Sequence, residues 1–147
     1  MNTLGSSRSG GSFVRKIEMV FHRDAVEELQ TEVCAELANR GYSREAVFAV
    51  RLAIEEAIMN AYRHGNAGDA SKKVQFDCEI DDESVNMEVA DEGRGFEITT
   101  VPDPTKDENL EVPSGRGILL MREYMTEVEY VHPGNRVRMA YRRTVIE

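Results

Sequence analysis

Ile17, Met19 and Phe21 alternate with polar residues, which predicts a first strand near residues 13–22. The period then lengthens. Asp24 and Glu27 form an acidic capping box, and Val26, Leu29, Val33 and Leu37 follow at helical spacing until Gly41 stops the helix. Ser43 predicts the cap of a second, longer helix running to about His64, with Val47, Val50, Ile54, Ile58 and Ala61 as its apolar stripe. Gly65 stands just beyond, where helices commonly end on a left-handed glycine.

The period shortens again after residue 70. Val74, Phe76, Cys78 and Ile80 alternate with Gln75, Asp77 and Glu79, and Val85, Met87 and Val89 alternate with Asn86 and Glu88. The Asp81-Asp82-Glu83 segment between them makes this a hairpin. Residues 97–114 hold three prolines, several charges and no period, and predict a long loop. A third helix is predicted from Gly115, and Val128 with Tyr130, then Val137, Met139 and Tyr141, predict a closing hairpin around Pro133-Gly134. Each strand has one apolar and one polar face. The fold class expected is therefore an α/β (α+β) two-layer sandwich, with a mixed, largely antiparallel sheet and helices on one face.

Composition narrows this picture. At 147 residues and 41% hydrophobic, the chain is expected to form a single domain over residues 13–147. Residues 1–12 are Ser/Gly-rich and are expected to form a flexible tail. The longest apolar runs fall well short of the roughly 20 residues needed to cross a bilayer. Cys34 and Cys78 sit at apolar positions, as reduced buried thiols in a cytoplasmic protein would. A net charge of −9 argues against a general nucleic-acid binder.

The candidate chemistry lies in three places. Leu52, Glu56, Asn60 and His64 are spaced by four and form one stripe of the second helix, offset from its apolar stripe. There a carboxylate could activate a nucleophile while an amide oxygen coordinates magnesium. The alternative is an ordinary solvated helix edge. Glu55 points about 100° away, which favours Glu56. Asp91 follows a strand and precedes Gly93 and Gly95, so a carboxylate there could accept a hydrogen bond from an exocyclic amine while the glycines let backbone approach a flat base. The alternative is an acidic glycine turn. Gly115-Arg116-Gly117 opens a helix, where free N–H groups suit phosphates and Arg116 adds charge; its alternative is a turn requirement alone. No Gly-Lys-Ser/Thr loop and no Gly-x-Gly-x-x-Gly fingerprint occurs.

In this order the residues resemble a known superfamily. Glu56-Ala-Ile-Met-Asn60-Ala-Tyr-Arg63-His64-Gly65 is similar to the N box of the GHKL (Bergerat-fold) ATPases, Asp91-Glu-Gly93-Arg-Gly95-Phe to their first glycine box, and Ser114-Gly115-Arg116-Gly117-Ile to their second. The likeness spans about residues 13–145. The short chain and the His64-Gly65-Asn66 ending resemble the anti-sigma-factor serine/threonine-protein kinases of RsbW type. The resemblance implies a Bergerat-type ATP-binding fold with ATP and Mg2+ as cofactors. It implies Glu56 as general base, Asn60 as magnesium ligand and Asp91 as adenine contact, with Gly93 and Gly95 shaping the base pocket. Ser114, Gly115, Arg116 and Gly117 would hold phosphates, Arg63 and His64 would neighbour them, and residues 97–114 would form the ATP lid. The implied partners are a sigma factor and a small anti-anti-sigma protein, with homodimerisation through the polar sheet face or first helix. One departure stands out: the threonine that often assists adenine recognition has no clear counterpart, since Thr144 comes too late. A sensor histidine kinase would need a dimerising helical hairpin with a phosphoacceptor histidine, and the pattern before residue 13 holds none. The competing function is a catalytically silent nucleotide-binding module that regulates a partner by binding alone.

Overall fold

The computed structural model describes residues 2–9, 11–93, 121–131 and 135–143. In chain order these form β1 (Asn2–Ser9), β2 (Ser12–Val20), α1 (Arg23–Asn39), α2 (Arg44–Asn60), a π-helical turn (Ala61–Gly65), β3 (Lys73–Ile80), β4 (Ser84–Ala90), β5 (Glu127–Val131) and β6 (Arg136–Arg142). The strands make one sheet in the order β1-β2-β3-β4-β6-β5, with every described neighbour antiparallel.

Alternation places the core. The register sets Phe13 opposite Ile80, Ile17 opposite Phe76 and Met19 opposite Val74, and continues through Val89 and Val137. These side chains are buried against Val26, Leu29, Val33 and Leu37 of α1 and Val50, Ile54 and Ile58 of α2. Full burial of an aliphatic or aromatic side chain contributes about 1.5–3 kcal/mol, so this one interface dominates the fold. Helices cover one sheet face and most charged strand positions occupy the other, as the alternation predicts; Arg15 is an exception, buried on the helix side against Glu32 of α1.

Local caps fix the helix ends. Ser43 caps α2 by accepting the Ala46 N–H at 3.1 Å. At the end of α1, Tyr42 N–H donates to the Leu37 carbonyl at 3.0 Å and Gly41 N–H to Ala38 at 3.1 Å, with Gly41 at φ +80°. That is a Schellman ending, which requires a left-handed residue.

Three expectations are corrected. Asp24 does not cap α1: the cap is His22, whose Nδ1 accepts the Asp24 N–H at 3.3 Å, and Asp24 lies inside the first turn. Residues 2–9 are not an unpaired tail: they pair with β2 as far as Ser9 opposite Ser12. Gly11, just before Ser12, has φ +91°, and Gly-Gly is a dipeptide suited to two-residue hairpins. Gly65, finally, is not left-handed; among the described residues positive φ falls at Gly11, Gly41, Ala67 and Gly68.

Candidate functional site

The end of α2 carries the site. Glu56 lies one turn before Asn60 on the half-buried side of the helix. Burial pushes the Glu56 carboxyl above its ordinary 4.5; the neighbouring Glu55 charge adds to this and Arg63 opposes it. Glu55 itself is held away in a bidentate pair with Arg23 (2.6 and 2.7 Å) and accepts from Gln30 at 3.3 Å. Its carboxyl is thereby lowered. Of the two adjacent carboxylates, Glu55 is thus the one engaged by a cation.

After Asn60 the helix widens. Asn66 N–H closes the turn on the Ala61 carbonyl at 2.8 Å, an i to i+5 bond. Such π turns are often found at functional sites. The wider turn breaks the expected four-residue stripe at its last member, so Asn60 is buried while Arg63 and His64 are exposed. Burial and the Arg63 charge lower the His64 pKa.

Asp91 follows β4 and faces this turn. Its backbone N–H donates to the Asn135 carbonyl at 2.9 Å, and Asn135 Nδ2 donates back to the Asp91 carbonyl at 3.4 Å. Its Oδ1 accepts the Gly93 N–H at 2.7 Å. Desolvation holds the Asp91 carboxyl above its ordinary 3.8, with the Gly93 bond and Lys72 opposing. A Cβ on Gly65 would fall inside this carboxylate, and one on Gly93 would overlap the Gly65 carbonyl oxygen. Glycine is therefore required at both positions by close approach.

Asn60, Asp91, Tyr130 and Asn135 line one small cavity of about 20 Å³, floored by Ala57, Val89 and Val137. Asn60 is only 9% exposed, and its amide donates to the Tyr130 hydroxyl across the cavity. Burial pushes the Tyr130 hydroxyl up to about 12, so it stays protonated. An amide oxygen such as that of Asn60 is an atom type that a hard cation takes, and a carboxylate such as that of Asp91 is one that accepts from an amine.

Among the described residues a larger concavity, about 790 Å³, lies elsewhere, across Lys16, Asp77, Glu88 and Arg138 on the polar sheet face. None of the predicted site residues lines it. Chemistry favours the smaller cleft, where the half-buried Asp91 carboxylate and the buried Asn60 amide converge.

A family profile of the histidine kinase-like ATPase domain matches residues 21–141. The chain belongs to the histidine kinase-like ATPase family. Anti-sigma factors are among its relatives. The anti-sigma F factor of Clostridium perfringens (strain SM101 / Type A) is 26% identical over 125 residues, covering 74% of this chain and 89% of the relative. The anti-sigma F factor of Bacillus thuringiensis (strain Al Hakam) is 29% identical over 101 residues, covering 67% of this chain and 69% of the relative. For this histidine kinase-like ATPase domain, the described residues bring together Asn60, Asp91, Gly65 and Gly93, with Glu56 one turn away. Gly95, Ser114, Gly115, Arg116, Gly117 and the lid segment 97–114 lie outside the described residues. Sequence reasoning missed Tyr130 and Asn135 as cavity residues. Tyr130 stood only as a strand position, and nothing local marks Asn135 as facing Asp91.

Proposed function

We propose that this chain is an ATP-dependent anti-sigma factor of the cytoplasm that phosphorylates a serine on a small anti-anti-sigma protein. The observation that carries the proposal is Glu56: a half-buried carboxyl with a raised pKa, one turn from a buried amide that shares a cavity with Asp91. The anti-sigma F factor relatives support a sigma factor as the bound partner.

Bound Mg-ATP supplies the phosphoryl group. Glu56 takes the proton from the substrate serine hydroxyl, a task suited to a carboxylate whose pKa is drawn toward neutrality. The Asn60 amide oxygen serves as a magnesium ligand. Asp91 accepts from the adenine amine through Oδ2, while Gly93 N–H holds Oδ1. Asn135, opposite Asp91, supplies the amide that completes the base pocket in place of the missing threonine. Gly93 and Gly95 let backbone approach the base, and Ser114, Gly115, Arg116 and Gly117 take the phosphates with Arg63 and His64 nearby.

Incubation with Mg-ATP and a cognate antagonist, read by phosphoserine mass spectrometry, tests this. Phosphoserine on the antagonist is the expected result. ATP bound with no phosphoserine formed would sink the kinase reading and leave the nucleotide-dependent binding module.

A further inference from the structure

Asp91 can select a base only if its carboxylate is held at a fixed place, and the structure contains a device that does this from outside the cavity. Asn66 is fully buried at the end of the π-helical turn. Its Oδ1 accepts the Glu92 N–H at 2.8 Å, and its Nδ2 donates to the Lys73 carbonyl at 3.1 Å. Its own N–H closes the π turn on Ala61. Glu92 completes the bracket, because its Oε2 accepts the Lys73 N–H. One side chain therefore ties the end of the α2 extension, the first residue of β3 and the residue after Asp91. On the other flank, Asp91 is pinned by its backbone bond to Asn135.

We infer that Asn66 is a positioning residue for adenine selectivity, acting through Asp91. This rests on the assignment of Asp91 as the adenine contact. A carboxylate accepts from the amine of adenine but meets the carbonyl oxygen of hypoxanthine, an acceptor opposed to an acceptor. That opposition discriminates only while the carboxylate cannot swing aside. The close packing of Gly65 and Gly93 around Asp91 leaves the carboxylate one place, and Asn66 holds the loop in that place. Loss of a buried amide with both bonds made leaves the Glu92 N–H and the Lys73 carbonyl unpaired, which frees the loop.

The test is calorimetric titration of the full chain with Mg-ATP and with Mg-ITP, the inosine analogue. The unmodified protein is expected to prefer ATP. Asn66→Ala is expected to weaken ATP binding about tenfold while ITP binding changes little, so that the ratio collapses. A purely structural role would weaken both nucleotides alike. Exposed Glu92 provides a second arm that leaves the buried amide intact: Glu92→Ala is expected to lower the ratio about threefold, and Glu92→Gln, which keeps an acceptor for Lys73, to restore it. If Asn66→Ala does not fold, the Glu92 pair decides. A wild-type preference that survives in Asn66→Ala and Glu92→Ala overturns the role of Asn66 alone. Equal binding of ATP and ITP by the unmodified protein overturns the Asp91 assignment, and the inference with it.

Discussion

Glu56 and Asp91 are carboxyl groups whose ionised forms the fold disfavours. Each has a folded pKa above its ordinary value because of burial. The unfolded carboxyl releases its proton first, so between the unfolded and folded values the native state holds more protons and stability falls as pH rises. Above both values the penalty is complete. Glu56→Gln is therefore expected to melt a few degrees above wild type at pH 7.5, with the gap closing near pH 4, as followed by circular dichroism. The same change is expected to lower phosphoryl transfer by about 100-fold or more. Wild-type transfer should rise with pH through an apparent pKa above the ordinary 4.5 of a glutamate. Spacing and context single out Glu56 and Asp91 in the sequence, and the fold brings Asp91 beside Asn60, one turn after Glu56. Tyr130 and Asn135 are not marked locally, because their nearness to Asp91 comes from the pairing of β6 with β4 and of β5 with β6, which no local pattern encodes.

At the level of elements, endings set by neighbouring residues were legible and those set by distant contacts were not. Gly41 and Ser43 act within their own turns, and both behave as local chemistry predicts. Gly41→Ala is expected to cost about 1 kcal/mol in urea denaturation, purely conformationally, since its Cβ would meet only the Arg143 guanidinium at an ordinary 3.8 Å. Gly65 differs. Its reason is the Asp91 carboxylate, 26 residues on in the chain, so Gly65→Ala is expected to weaken ATP binding at least about tenfold through loss of that contact. A single π turn of five residues leaves no periodic trace, which is why the stripe was carried one member too far. The two helices are also tied together beside the site by Arg23 and Glu55. Glu55 is lowered by this pair, so its contribution is present above the ordinary 4.5 and is lost as pH falls through the depressed folded value. Glu55→Gln is expected to cost up to about 1 kcal/mol at pH 7 and nothing at pH 2.

Across the whole molecule, strict alternation made the two-layer architecture readable, because a sheet covered on one face must bury every second residue. β1 escaped notice because its Ser/Gly-rich sequence has no apolar face to announce it. The Gly10-Gly11 hairpin signal was the available clue. Among the described residues no helix is long and apolar enough to cross a membrane. The architecture brings the end of α2 against the loop after β4, and the proposed function divides two tasks across this junction: Asp91 would recognise the base and Glu56 would react. Calorimetric titration of Mg-ATP into wild type, Glu56→Gln and Asp91→Ala examines that separation most directly. The division predicts equal affinity for wild type and Glu56→Gln and at least about tenfold weaker binding for Asp91→Ala. Wild-type affinity in Asp91→Ala, or loss of binding in Glu56→Gln, would contradict it.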